Sequence, residues 1–314
     1  MYYSLKKHTK SIFIATCAVM ACSAASYNAY AQQPGEEAFQ IVVAPLFEYP
    51  VAPEEIDGLQ AKSDYLMDHF WDKMDFKNKN AVDQNALNDA FATYITPMRF
   101  ADAKKADESI KKLIGNISKN PTLSWQFAKA AEESLYGPRA EYWNDAVFLQ
   151  FIDNALQNKS IKKERKTRYE HLAGILRNSM QGSKPPQFEY LTTDGKRALF
   201  QPNGVITLIE FGTPDCTECR YIKLKLETDV RFSSLVDKGK INVLFINTQP
   251  AENWQKRMTE FPKTWHVGSS AEVLDLFDMR VIPSLYVIDR EGKIAVKNVP
   301  VETAMQIAAA AAEQ

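Results

Sequence analysis

Cys216 and Cys219 are the residues of this 314-residue chain best suited to chemistry of their own, three positions apart in Pro214-Asp215-Cys216-Thr217-Glu218-Cys219-Arg220. A C-x-x-C pair can cycle between dithiol and disulfide, and what it does depends on where the chain places it. Upstream, Val205-Ile206-Thr207-Leu208-Ile209-Glu210-Phe211 reads as a buried strand, and residues 219–235 read as a helix. The pair therefore lies where a strand ends and a helix begins. Only a thiolate attacks a disulfide, and the unpaired N–H groups and dipole at a helix start favour negative charge on a sulfur there. Cys216, nearer the solvent, is the expected nucleophile, and Cys219, one turn on, is the expected resolving thiol.

The same strand carries Glu210. Alternation from Ile206 and Leu208 points it to a core-facing side, where desolvation would raise its pKa toward the range useful for proton transfer. A paired or solvated strand-end Glu is the plainer alternative. Asp215 and Glu218 stand beside Cys216. Two added carboxylates should oppose thiolate formation, which favours a pair that donates electrons or isomerises over a strong oxidant.

Four cysteines are encoded, at 17, 22, 216 and 219, and the first two fall in a leader. Lys6, Lys7 and Lys10 precede an uncharged stretch from Ser11 to about Ser26, short and Ala/Ser-rich for a membrane span, and Ala29-Tyr30-Ala31 offers a small-x-small cleavage pattern. Residues 1–31 are read as a signal peptide. Val19-Met20-Ala21-Cys22 resembles a lipobox, so lipidation at Cys22 stays open as a second exit, and an uncleaved anchor as a third. Membrane attachment is expected only if Cys22 is lipidated. Cleavage after Ala31 leaves Cys216 and Cys219 as the sole thiols of a periplasmic or cell-envelope protein, with no spare thiol to scramble with them. The remaining composition is that of a soluble chain: 45% hydrophobic, 25% charged, net charge −1 from 38 basic and 39 acidic side chains. Nothing in that balance asks for a nucleic-acid partner.

Two domains are expected from length. Residues 32–53 carry Pro34, Pro45, Pro50 and Pro53 and read as an extended segment. Residues 54–181 show helical apolar stripes, among them Leu59, Leu66 and Phe70; Leu87, Phe91 and Tyr94; Leu123, Phe127 and Leu135; Tyr142, Leu149 and Ile152. No fixed repeat runs through them, so an all-α bundle is preferred. Trp71, Trp125 and Trp143 ride with these stripes and are read as core, with a substrate groove the rival reading; the basic run 159–168 is read as a solvated helix face. Gln181-Gly182-Ser183-Lys184-Pro185-Pro186 marks the boundary. Beyond it, residues 182–314 read as a hairpin (188–200), strand, helix, strand (241–246), short helical stretches, a second hairpin (284–296) and an Ala-rich helix.

That order, the Pro-Pro-Gln-Phe lead-in with its Asp194-Gly195 turn, the apolar strand into C-x-x-C, and Val281-Ile282-Pro283-Ser284-Leu285-Tyr286-Val287-Ile288-Asp289 downstream resemble the thioredoxin superfamily, and within it the TlpA-like and ResA-like exported oxidoreductases. The resemblance spans about residues 184–314 and implies an α/β thioredoxin-like fold. It implies that Pro283 follows a cis bond, faces the cysteine pair and shapes a substrate groove; that the backbone of Ile282 bonds the substrate; and that Glu210 assists proton transfer at the second cysteine. The two-part layout also resembles envelope proteins of the Bacteroides type. The expected partners are protein thiols and disulfides, and the resemblance implies a membrane electron donor. No cofactor or metal is expected.

Three rival readings of the pair fare worse. A zinc half-site lacks further ligands at suitable spacing, and a purely structural disulfide closes too short a loop to constrain the unfolded chain. A peroxiredoxin-type site has Thr213 three residues before Cys216 but lacks that motif's proline, Ile209 standing there instead. The alternative of a different class is a polypeptide-binding or chaperone-like envelope protein in which the helical domain is primary and the dithiol secondary.

Overall fold

Four of the six helices that the stripes form begin at a side chain that takes up unpaired N–H groups of the first turn. Asp83 accepts from Ala86 N, Asp102 from Lys104 N and Lys105 N, Asn120 from Thr122 N and Leu123 N, and Asn144 from Val147 N. The resulting elements are α1 (Leu59–His69), α2 (Gln84–Ile95), α3 (Ala103–Ile117), α4 (Pro121–Leu135), α5 (Asp145–Gln157) and α6 (Lys163–Asn178). The computed structural model describes residues 44–314, apart from 79, 214, 250–253, 259 and the side chain of Arg257. The leader, with Cys17, Cys22 and the cleavage pattern at Ala31, lies outside the described residues.

The six helices enclose one apolar core around Phe91, Phe127 and Phe151, with Phe91 and Phe151 meeting edge to face at 5.1 Å. Such contacts add about 0.5–1.5 kcal/mol to the area each ring buries. The tryptophans divide: Trp71 is buried in this core and Trp125 is half-buried, but Trp143 sits exposed in the loop that Asn144 ends. The basic run is not wholly solvated either. Lys166 is buried, and its Nζ bonds the Leu156 and Asn158 carbonyls at the end of α5, where a cation meets the negative pole of that helix.

The α/β part is a seven-stranded mixed sheet among the described residues, in the order β2-β1-β5-β4-β3-β6-β7. Its strands are β1 (Phe188–Thr192), β2 (Arg197–Phe200), β3 (Ile206–Gly212), β4 (Ile241–Asn247), β5 (His266–Ser269), β6 (Ser284–Ile288) and β7 (Ile294–Lys297). The helices are α7 (Thr217–Thr228), α8 (Val230–Asp237), α9 (Trp254–Arg257), α10 (Val273–Leu276) and α11 (Val301–Glu313). β3 runs parallel to β4 and antiparallel to β6, so it is central and buried along its whole length. Ile206 and Leu208 pack with α7, α8 and α11 on one face, while Ile209 and Phe211 pack with Phe188, Phe277 and Tyr286 on the other.

Two features depart from the sequence reading. The single helix expected over 219–235 is two, because Asp229 leaves the helical conformation and its side chain caps Phe232 N to start α8. Strand β5 was not expected. It pairs β4 in parallel and β1 in antiparallel, and Gly268 makes room there: a Cβ would lie 2.2 Å from the Tyr190 ring. Among the described residues no helix is long and apolar enough to cross a membrane.

Helices and sheet keep separate apolar cores, yet the described residues cluster as one compact unit. A buried ionic group joins them. Asp278, before β6, accepts from Arg280 Nε at 3.1 Å, Lys297 Nζ at 2.6 Å, Asn298 Nδ2 at 3.2 Å and Tyr136 Oη at 3.3 Å. Asp145, at the start of α5, takes Arg280 Nη2 at 2.5 Å and Lys297 Nζ at 2.8 Å. Two carboxylates and two cations thus balance. Desolvation pushes the Asp278 carboxyl up, but the Arg280 hydrogen bonds and the Lys297 charge outweigh it and hold the group below its ordinary value. Deleting the carboxylate leaves two buried cations to the single carboxylate of Asp145, so Asp278→Ala should cost about 3–5 kcal/mol in denaturant unfolding, against about 0–1 kcal/mol for breaking the exposed Arg139–Glu133 pair by Arg139→Ala. Because the folded value is depressed, the contribution of Asp278 is present above the unfolded value of about 3.9 and is lost as pH falls below it. Asp278→Asn should therefore flatten the acid limb of the stability–pH curve.

Candidate active site

The C-terminal end of β3 assembles the site. Cys216 and Cys219 are joined as a disulfide, with Cα atoms 5.2 Å apart. Cys216 is the N-cap of α7, and its Sγ accepts the Cys219 N–H at 3.0 Å, the bond a Ser or Asp oxygen makes at an ordinary N-cap. A thiolate at that position would take the same N–H in a charge-assisted bond and lie at the positive pole of the helix. Cys216 is half-buried, whereas Cys219 is buried against the sheet. Of the two residues, Cys216 is the more open to solvent.

Gly212 creates the space for the inner sulfur. A Cβ there would lie 2.8 Å from Cys219 Sγ and 3.1 Å from the Phe245 ring, closer than packed atoms tolerate. Its carbonyl is fixed by Thr248, whose N–H donates at 2.9 Å and whose hydroxyl donates at 3.3 Å. The sequence reading passed over Gly212 and Thr248. A glycine closing a buried strand just before a C-x-x-C is the signal that could have singled out Gly212, since glycine in a strand often marks the close approach of another group.

Glu210 lies two residues back from Gly212 on the same side of β3, about 6–7 Å along the strand. It is fully buried, and neither carboxyl oxygen has a hydrogen-bond partner among the described residues. Its neighbours across the ladders are Phe245 of β4 and Leu285 of β6. Burial without compensation pushes the Glu210 carboxyl well above the usual carboxylate range. An unpaired buried carboxyl costs stability that an apolar residue would not, which is a reason to look for a use of it.

On the next strand, Ser284 pairs with Phe211, so the residues before β6 emerge beside the residues after β3. The Ile282–Pro283 peptide is cis. Pro283 is half-buried and Ile282 is exposed. Cys216, Cys219, Glu210, Ile282 and Pro283 therefore all belong to the end of the sheet at which β3 stops and β6 begins. Glu218 Oε2 stands 3.9 Å from Cys216 Sγ, and Asp215 is exposed one residue before it. The arrangement can pass two electrons between a dithiol and a disulfide, with a protonatable group held out of water on the inner side.

The sequence matches the family described as a domain of unknown function (DUF5106) over residues 21–179, just over half of the chain. No curated protein matches it. Among solved structures, a thioredoxin-like protein from Bacteroides caccae superposes with a TM-score of 0.70 at 20% identity, over 85% of this chain and 99% of its own. Shorter matches include a putative protein disulfide isomerase from Bacteroides thetaiotaomicron, 19% identical over 43% of this chain and 92% of its own, with a TM-score of 0.37. The thioredoxin domain of a thiol-disulfide oxidoreductase from Bacteroides vulgatus is 21% identical over 41% of this chain and 94% of its own, with a TM-score of 0.36. The described residues thus comprise a helical part and a thioredoxin-like part, and through the match over residues 21–179 the chain belongs to the DUF5106 family.

Proposed function

We propose that the protein is an exported thiol-disulfide oxidoreductase that reduces or isomerises disulfides of envelope proteins through Cys216 and Cys219. The observation that carries this reading is the disulfide at the start of α7 with, on the strand beneath it, a buried carboxyl that has no hydrogen-bond partner among the described residues. In the reducing direction the Cys216 thiolate attacks one sulfur of a substrate disulfide. That S–S bond breaks, a mixed disulfide forms and the first substrate thiolate leaves. Glu210 first gives up its own proton to solvent, and its carboxylate, made more basic by burial, takes the proton of Cys219; the Cys219 thiolate then attacks Cys216 Sγ, and the second substrate thiolate leaves. Two electrons have moved from the dithiol to the substrate, and a donor thiol must return them. That donor is proposed to lie in the membrane.

Ile282 and Pro283 are assigned to binding, the exposed Ile282 backbone bonding an extended substrate chain beside Cys216. The Glu218 carboxylate at 3.9 Å opposes thiolate formation at Cys216 and favours the reducing or isomerising direction. Export rests on the leader, with cleavage after Ala31 and lipidation at Cys22 as the two routes.

Insulin reduction with dithiothreitol as electron source is the direct test. Wild type should accelerate it and Cys216→Ser should abolish the acceleration; equal rates in both would sink the assignment. Cys219→Ser should instead accumulate a mixed disulfide that non-reducing electrophoresis resolves. The reduction potential should lie well below about −120 mV, the value of a strong oxidant, and a value near it would overturn the direction. Glu210→Gln should slow resolution of the mixed disulfide. It also has a stability signature. Burial raises the folded carboxyl above its unfolded value of about 4.3, so above that pH the unfolded chain releases a proton the folded chain keeps, and stability falls as pH rises. Glu210→Gln, which cannot ionise, should match wild type in melting temperature near pH 4 and exceed it increasingly at higher pH.

A further inference from the structure

Trp143 is the helical region's least buried tryptophan and does not pack into its core. It is 36% exposed in the loop before α5, yet it is held: its ring lies 5.0 Å from Arg280 Cζ, and the same guanidinium lies 4.0 Å from the Tyr136 ring. Arg280 cannot swing away. Its side chain is 5% exposed and tied to Asp278 and Asp145, so an exposed indole rests on a buried, fixed cation. The next two residues after Arg280 are Val281 and Ile282, which are exposed at 38% and 37% and lead directly into Pro283. Among the described residues, neither Val281 nor Ile282 makes a backbone hydrogen bond with the rest of the chain.

Three exposed apolar side chains thus run from the helical region to the redox end of the sheet, with open main chain between them. Scattered apolar residues at a surface need no explanation, but an aromatic immobilised beside an unpaired stretch of backbone is the pairing that binds an extended polypeptide: the backbone gives affinity and the side chain gives preference. A rigid aromatic also loses little conformational freedom when it is covered. Arg280 lies three residues from Pro283 through a stretch of bends, so their main chains are at most about 10 Å apart. A substrate segment passing Pro283 with its cysteine at Cys216 therefore reaches Trp143 with a side chain roughly three or four residues from that cysteine.

Resting on the oxidoreductase reading above, we propose that Trp143 is a specificity-determining residue supplied by the helical region, which selects polypeptide disulfides bearing an aromatic or large aliphatic side chain about four residues from the reacting cysteine. Asp145 and Arg280 are the positioning residues that hold it in place.

The test compares two sets of disulfide-linked peptides, identical except for Phe or Ser four residues to either side of the cysteine, as substrates of the full-length dithiothreitol-reduced protein. Wild type should favour the Phe peptide by about tenfold in kcat/KM, expressed in KM, as one buried aromatic contact supplies. Trp143→Ala should bring that ratio to about one, and Trp143→Phe should keep most of it. A Trp143→Ala protein that retains the ratio, even with both rates lowered together, overturns the proposal, as does a wild type without preference. Hydroxyethyl disulfide separates the two levels: a wild type that reduces neither it nor the peptides removes the oxidoreductase reading itself, and the specificity role with it.

Discussion

The carboxylate of Asp278 is the fixed point to which both parts of this protein are tied. It gathers Arg280 from the segment before Pro283, Lys297 from β7 and Tyr136 from the end of α4, while the Asp278 main-chain N–H donates to the Ser179 hydroxyl at the end of α6 and its carbonyl accepts from the Tyr286 hydroxyl of β6. Charges this deep are tolerated only in balance, and Asp145 completes the balance from the helical side. The consequence is mechanical as much as energetic. The segment that leads into the cis proline is pinned at Arg280 to a helix start in the other part of the chain, so the helical region bears on the geometry of the cysteine-bearing end of the sheet.

The cysteine site depends on two approaches that side chains would ordinarily prevent. Cys219 can lie against β3 because Gly212 has no side chain, and Glu210 can sit inside the sheet because its neutral form needs less solvation than its charged form. The first places sulfur over strand; the second keeps a proton near that sulfur in a dry setting. The outer sulfur is treated in the opposite way, with a helix start and an N–H favouring its charged form and the Glu218 carboxylate opposing it. Two thiols one turn apart are thereby made chemically unequal, which an exchange mechanism with distinct attacking and resolving sulfurs requires.

Much of this was legible in the chain itself. The 3.6-residue stripes placed α2 to α6, the apolar runs placed β3, β4 and β6, and the Asp194-Gly195 turn placed the first hairpin, because each depends on neighbours within a few residues. Trp143 was misjudged for the same reason. It shares the spacing of Tyr142 and Ala146, but Asn144 starts the helix just after it and leaves the indole in a loop, a choice made by a cap and not by periodicity.

By itself, then, the sequence determined that a C-x-x-C would stand between a buried strand and a helix start, that a glutamate would share that strand's inner side, and that an all-helical stretch would precede them. Tertiary structure alone decided the rest. It inserted β5 between β1 and β4, brought Gly212 under Cys219, left Glu210 without a hydrogen-bond partner among the described residues, and joined Tyr136 to Asp278 across 142 positions. The physical reason is range. Caps, turns and amphipathic periods are properties of adjacent residues, whereas a register between distant strands or a buried ionic group exists only once segments far apart in the chain have been packed together and water has been removed.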